Sequence, residues 1–112
     1  MKQVAELEGA ELDAAVAKAL GWVTYPDDVK GRNNWYLGRE YMACITDFQP
    51  SKYWSQGGPI IERERISIAQ EYEGGWVAGL PMSSAAEFPR GFKGSTALLA
   101  AMRALVAARR AG

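Results

Sequence analysis

The side chains best able to do chemistry stand together in one stretch, Tyr53-Trp54-Ser55-Gln56-Gly57-Gly58-Pro59-Ile60-Ile61-Glu62-Arg63-Glu64-Arg65-Ile66. Trp54 could stack on a ligand, Gln56 could hydrogen-bond it and Arg63 could pair with an anion. With Gly57, Gly58 and Pro59 these residues form the candidate binding surface. Gly57 and Gly58 accept positive φ without a Cβ penalty, while Pro59 fixes its own φ and biases Gly58 away from the α region. Local chemistry therefore predicts a stiff corner that feeds a strand. Two readings of it stay open, a purely architectural corner and one that presents Trp54, Gln56 and Arg63 to a ligand. The alternating Glu62-Arg63-Glu64-Arg65 suits a solvated edge with local pairing and creates no net field.

Catalysis finds little support. Asp47, Glu62 and Glu64 are carboxylates of the right kind for acid–base work, but no spacing joins them. Gly57-Gly58-Pro59 lacks the Lys-Ser/Thr continuation of a phosphate loop. The chain has no histidine, which removes the usual zinc ligand and the usual general base. Its one cysteine, Cys44, has no internal disulfide partner and no His to activate it, and its apolar setting predicts a buried thiol. No catalytic residue, metal ligand or cofactor is assigned, and an enzyme is the least supported class.

Two basic and aromatic clusters offer a nucleic-acid alternative. Arg32, Trp35 and Arg39 form the first, and Arg90, Phe92 and Lys93 the second. Such residues can pair with phosphates and stack on bases if the fold brings the clusters together. Charge argues against it: Lys plus Arg and Asp plus Glu number 13 each, so no general attraction to a polyanion is built in.

A family resemblance runs through the same residues. Trp54 followed by Gln56-Gly57-Gly58-Pro59-Ile60-Ile61-Glu62-Arg63-Glu64 resembles the central motif of the NinX-like family of small bacteriophage and prophage proteins. Leu7-Glu8-Gly9-Ala10-Glu11-Leu12-Asp13, Ala15 to Ala19 and Gly21 are similar to its opening helix. Trp76-Val77-Ala78 resembles its central strand, and Thr96 to Arg103 its closing helix. Tyr53 stands where an Asp before the Trp is common, so a role carried by that carboxylate has no counterpart here; Ala97 stands where Pro usually follows the Thr. The resemblance implies a phage or prophage setting and a fold, and it carries over no catalytic residues.

The elements that must position these residues are legible at both ends. Leu12, Val16, Ala19 and Leu20 recur at helical spacing between Glu8 and Leu20, with Gly21 in the left-handed C′ position and Trp22 folding back onto the last turn. Thr96 caps a second helix whose stripe is Leu98, Leu99, Met102, Leu105 and Val106. Val23-Thr24-Tyr25 is β-prone, 27–40 reads as a long loop, and Tyr41 to Thr46 as a buried strand. Glu73-Gly74-Gly75 joins Ile66–Tyr72 to Trp76–Leu80 as a hairpin, with Ile66, Ile68, Tyr72, Trp76 and Leu80 on one face. Residues 82–94 read as loop.

The fold class expected is α+β: a small antiparallel sheet of three or more strands, from the Tyr41 strand and the hairpin with or without Val23 to Tyr25, with an N-terminal and a C-terminal helix packed on it, in one domain over residues 1–112. A hydrophobic share of 48% suffices for one core. No apolar run reaches membrane-spanning length and the start lacks the apolar core of a signal peptide, which predicts a soluble protein of the bacterial host cytoplasm. The function expected is a non-catalytic protein-interaction module, its partner a phage or host protein, with nucleic-acid binding as the alternative. Thr96→Ala is expected to lower stability by about 1 kcal/mol through loss of the helix cap; an unchanged denaturation midpoint would count against that cap.

Overall fold

The computed structural model describes residues 2–28, 31–80 and 91–111. Its centre is the helix Ala97–Ala111. Thr96 Oγ1 accepts a hydrogen bond from the Leu99 amide at 3.1 Å, so the expected cap is in place. The helix buries Leu98, Met102, Leu105 and Val106 between the small side chains of Ala100, Ala101 and Ala104. Fully burying a side chain such as Met102 or Leu105 contributes roughly 1.5–3 kcal/mol. The alanines keep the helix slim on that side.

We label the helices α1 (Gly9–Ala19), α2 (Trp54–Glu64) and α3 (Ala97–Ala111), and the strands β1 (Asn34–Leu37), β2 (Glu40–Cys44), β3 (Ser67–Gln70), β4 (Trp76–Gly79) and β5 (Phe92–Gly94). α3 lies on the antiparallel sheet β3-β4-β5 and meets both α1 and α2 on its other sides. The architecture is α+β, with the terminal helices packed over the sheet as expected. Arg103 stitches two chain segments to α3, its Nε donating to the Leu7 carbonyl and its Nη1 to the Lys93 carbonyl, each at 2.9 Å.

α1 ends as its sequence predicts. Gly21 has φ +86°, its amide bonds the Lys18 carbonyl at 3.0 Å, and the Trp22 amide bonds the Ala17 carbonyl at 3.0 Å; these are the paired bonds of a Schellman ending. Trp22 then packs on Phe48, ring centroids 4.6 Å apart. On the other face of α1, buried Asp13 accepts a hydrogen bond from the Ser51 amide at 2.9 Å. Burial pushes the Asp13 carboxyl up from its ordinary range, and the Ser51 bond opposes that shift.

Five local readings are corrected. Residues 27–40 are not a long loop: 34–37 form β1, which pairs with β2 through the two-residue turn Gly38-Arg39, Gly38 having φ +64°. Gly at the first turn position supplies the positive φ a type II′ hairpin needs. The Tyr41 strand therefore pairs with β1, and Val23 adds a single bridge to Tyr36. It is also less covered than expected: Tyr41 is 59% exposed and Cys44 is half-buried rather than buried. In the second hairpin Gln70, not Tyr72, faces Trp76 and Ile68 faces Ala78. Ile66, Ile68, Trp76 and Leu80 keep one face by parity, and Tyr72 moves out to the fully exposed turn. Within 82–94, Phe92–Gly94 forms β5 against β4.

The fifth correction concerns Gly57-Gly58-Pro59, which lies inside α2 and forms no corner. Neither glycine has positive φ. Intrinsic propensity is poor here, about 1 kcal/mol for each Gly and 3 for Pro relative to Ala. Tertiary packing overrides it. Gly57 is buried, and a Cβ on it would overlap the Pro50 carbonyl oxygen and stand 2.5 Å from Leu98 Cδ2 of α3. Ile60 and Ile61 then pack into the same core. At Gly58 a Cβ would meet no atom beyond its chain neighbours and the local helix backbone closer than Trp54 Cε3 at 3.8 Å. Gly57→Ala should therefore cost about 1–3 kcal/mol by overpacking, while Gly58→Ala should change stability by less than about 1 kcal/mol, because its gain in helix propensity is opposed by contact of the new Cβ with the Pro59 ring. Urea denaturation of the two variants checks this, and equal losses would refute the helical packing.

Candidate functional site

α2 divides the candidate surface between its two flanks. Trp54, 57% exposed, lies on one flank and lines a groove of about 410 Å³ with Lys52, Thr96 and Leu99. Gln56, Pro59 and Arg63 recur at spacings of three and four on the other flank. They face β2 across a groove of about 430 Å³ whose apolar lining includes Trp22, Met42, Phe48 and Ile60. Gly57 is buried between these flanks and offers no surface, while Gly58 is half-buried beside the Trp54 ring.

Gln56 is engaged by the fold itself. Its Nε2 donates to the Asp47 carbonyl at 2.9 Å and its Oε1 accepts from the Gln49 amide at 2.6 Å. It thereby clamps the bend after β2 to the first turn of α2. Arg63 is largely exposed, with its Nε 3.5 Å from the Glu64 carboxylate, which also pairs with Arg109 of α3. Pro59 has no amide to donate to the Ser55 carbonyl four residues earlier, and both residues line the groove.

The nucleic-acid candidates are spread over two sheets. Arg32 is exposed in the turn before β1, and Arg39 is exposed in the β1–β2 turn. Trp35 between them is 4% exposed and its ring joins the core, where no base could stack on it. Phe92 and Lys93 sit on β5 in the other sheet, Lys93 Nζ lying 3.6 Å from the Glu71 carboxylate. Arg90 lies outside the described residues.

The structure exposes an aromatic row absent from the sequence reading. Trp35 points inward, so its neighbour Tyr36 points outward, with Val23 bridged to it on one side and Tyr41 paired on the other. Tyr25 and Tyr36 have ring centroids 5.3 Å apart, and Tyr36 and Tyr41 6.1 Å. The Tyr25 hydroxyl donates to the Gly38 carbonyl, tying the row to the hairpin turn. Inward Trp35 beside outward Tyr36 is a period-two signal that would have found this face once 34–37 was recognised as a strand.

Cys44 also lines the β2 groove. Its Sγ is 3.3 Å from Thr46 Oγ1, and that hydrogen bond draws the thiol below its ordinary range. Among the described residues no group of acidic and cysteine side chains could hold a metal ion, and no helix is long and apolar enough to cross a membrane.

A family model described as bacteriophage P22, NinX matches residues 3–109. The chain belongs to that family. No curated protein matches it at a significant level. In this NinX-family chain the central motif is α2, the opening helix is α1, Trp76-Val77-Ala78 lies in β4 and the closing helix is α3. The Tyr53 departure also acquires a physical meaning. Tyr53 is the N-cap of α2 and makes no side-chain cap bond, whereas an Asp there could bond the free amides of the first turn. Ala97 is the first residue of α3, a position that tolerates either Ala or Pro.

The two tryptophans now have opposite expected roles. Trp35→Ala should cost roughly 3–5 kcal/mol as a lost core aromatic, whereas Trp54→Ala should cost under about 1 kcal/mol. Thermal or chemical melts of both variants test this, and a large loss for Trp54→Ala would mark it as architectural.

Proposed function

We propose that this phage-encoded protein is a non-catalytic interaction module that meets a phage or host protein in the cytoplasm of the host cell. One observation carries the reading: Val23, Tyr25 and Tyr41 are 39–59% exposed and gather around Tyr36 on one face of the hairpin and its bridging segment. Contiguous exposed apolar surface marks interaction sites more often than it marks ordinary solvent-facing surface. Tyrosines are favourable anchors there, since they bring contact area and a polar tip with few rotatable bonds. The row borders the β2–α2 groove, because Tyr41 belongs to both.

Arg32 and Arg39 beside the same tyrosines favour a second reading, in which the row stacks single-stranded bases. Balanced charge weighs against it, because few phosphates could be neutralised at once.

The test is capture of partners by tagged protein from cells carrying the phage, with a Tyr41→Ala variant alongside. We expect a discrete protein partner that Tyr41→Ala loses at least tenfold without a change in melting temperature. Labelled single-stranded DNA should bind weakly at low salt and not at physiological salt; tight binding at physiological salt would replace the protein partner with nucleic acid.

A further inference from the structure

Asp13 is the one buried charged side chain among the described residues, 5% exposed. Carboxylates taken that far from water are ordinarily paired with a cation. Asp13 lacks one, since no lysine or arginine among the described residues stands within ion-pair distance of it. The Ser51 amide takes one of the roughly four acceptor sites that a carboxylate offers. Burial holds the Asp13 carboxyl above its ordinary range, and the Ser51 bonds offset only part of that rise.

The same carboxylate lines a cleft of about 340 Å³ between the start of α1 and the bend that follows β2. Ligand-sized clefts span roughly 300–1,000 Å³, so this one suits a single side chain better than a large molecule. Trp35, Ile45 and Phe48 supply apolar lining, and Phe48 is braced by its contact with Trp22. Gly9 and Ala10 lie at the exposed start of α1, where a Cβ on Gly9 would meet nothing within 4 Å, so the mouth is open on that side. Lys52 is the cation among the lining residues, but it is exposed and its ammonium lies 5.2 Å from the centre of the Tyr53 ring. The positive end of α1 amounts to about half a charge, which the full charge of Asp13 outweighs.

Resting on the protein-interaction reading, we propose that this cleft takes the side chain of an arginine presented by the partner protein. The methylene stem lies against Ile45 and Phe48, and the guanidinium meets the Asp13 carboxylate. Arginine suits the site better than lysine, because its flat head is more weakly hydrated and can stack on an aromatic ring while it bonds a carboxylate. The tyrosine row plays no part in this contact: the cleft lies beside Trp35, whereas the row is built around Tyr36.

The Nα-acetyl amides of arginine, lysine and citrulline, titrated in NMR spectra against the wild type, Asp13→Asn and Ala10→Leu, test the proposal, with melting curves of both variants. The arginine probe should shift the amides of Asp13, Phe48 and Ser51 saturably. It should bind at least tenfold more tightly than citrulline, which keeps the shape without the charge. Asp13→Asn should lose that preference, and Ala10→Leu, which narrows the mouth and keeps the carboxylate, should weaken the arginine probe at least tenfold. Should Asp13→Asn unfold, the citrulline comparison and Ala10→Leu decide the matter. Equal binding of arginine and citrulline would overturn recognition by charge, and tighter binding of lysine would replace the guanidinium with an ammonium. Free arginine binding at least tenfold more tightly than its blocked form would assign the cleft to a small molecule instead of a protein chain. No saturable shift would remove the site, whereas the broader interaction reading falls only if partner capture also fails.

Discussion

Everything around α2 depends on one close approach, that of Gly57 to the Pro50 carbonyl and the Leu98 side chain. A side chain at position 57 would push the helix away from α3. With it would go Ile60, the Gln56 clamp on the bend after β2, and the pairing of Glu64 with Arg109. The contact also explains how a helix forms through Gly-Gly-Pro, a sequence whose intrinsic preference runs the other way. Burial of Ile60 and Ile61 and the fit at Gly57 supply what local propensity lacks.

α3 makes this arrangement possible from the other side. Its buried alanines leave room for neighbours to approach, and its leucines and methionine fill the space between them. Asp13 performs a related task at the far edge of the core, holding the Ser51 amide and so the fully buried Pro50 against α1. Pro50 is thus fixed by α1 on one face and touched by α2 on the other. The groove between β2 and α2 inherits its width from these contacts.

What the sequence revealed follows from how local each determinant is. The stripes of α1 and α3, the Thr96 cap and the Gly21 ending depend on residues within a turn or two, and all were legible. The first hairpin was hidden because Gly38-Arg39 is a weaker turn signal than Asn-Gly or Gly-Gly, and because the polar run before it reads as loop. The helical state of Gly57 to Pro59 could not be read locally, since its cause is a contact with Pro50 and Leu98. The same limit applied to the candidate site. Exposure of Trp54 and engagement of Gln56 follow from which flank of α2 each occupies, and that required knowing α2 is a helix. Tyr36 adjoins Trp35 in the sequence, yet only the strand assignment separates the outward ring from the buried one.

The weak helical preference of α2 has a kinetic side. Helix nucleation is unfavourable even in good sequences, and one with two glycines, a proline and no side-chain cap at Tyr53 has little chance of forming alone. α3, rich in Ala and Leu and capped by Thr96, can form early from local interactions. α2 then condenses onto it once the Pro50 turn is in place. A helix added so late contributes little to the folding transition state, so its contacts act mainly on the rate of unfolding.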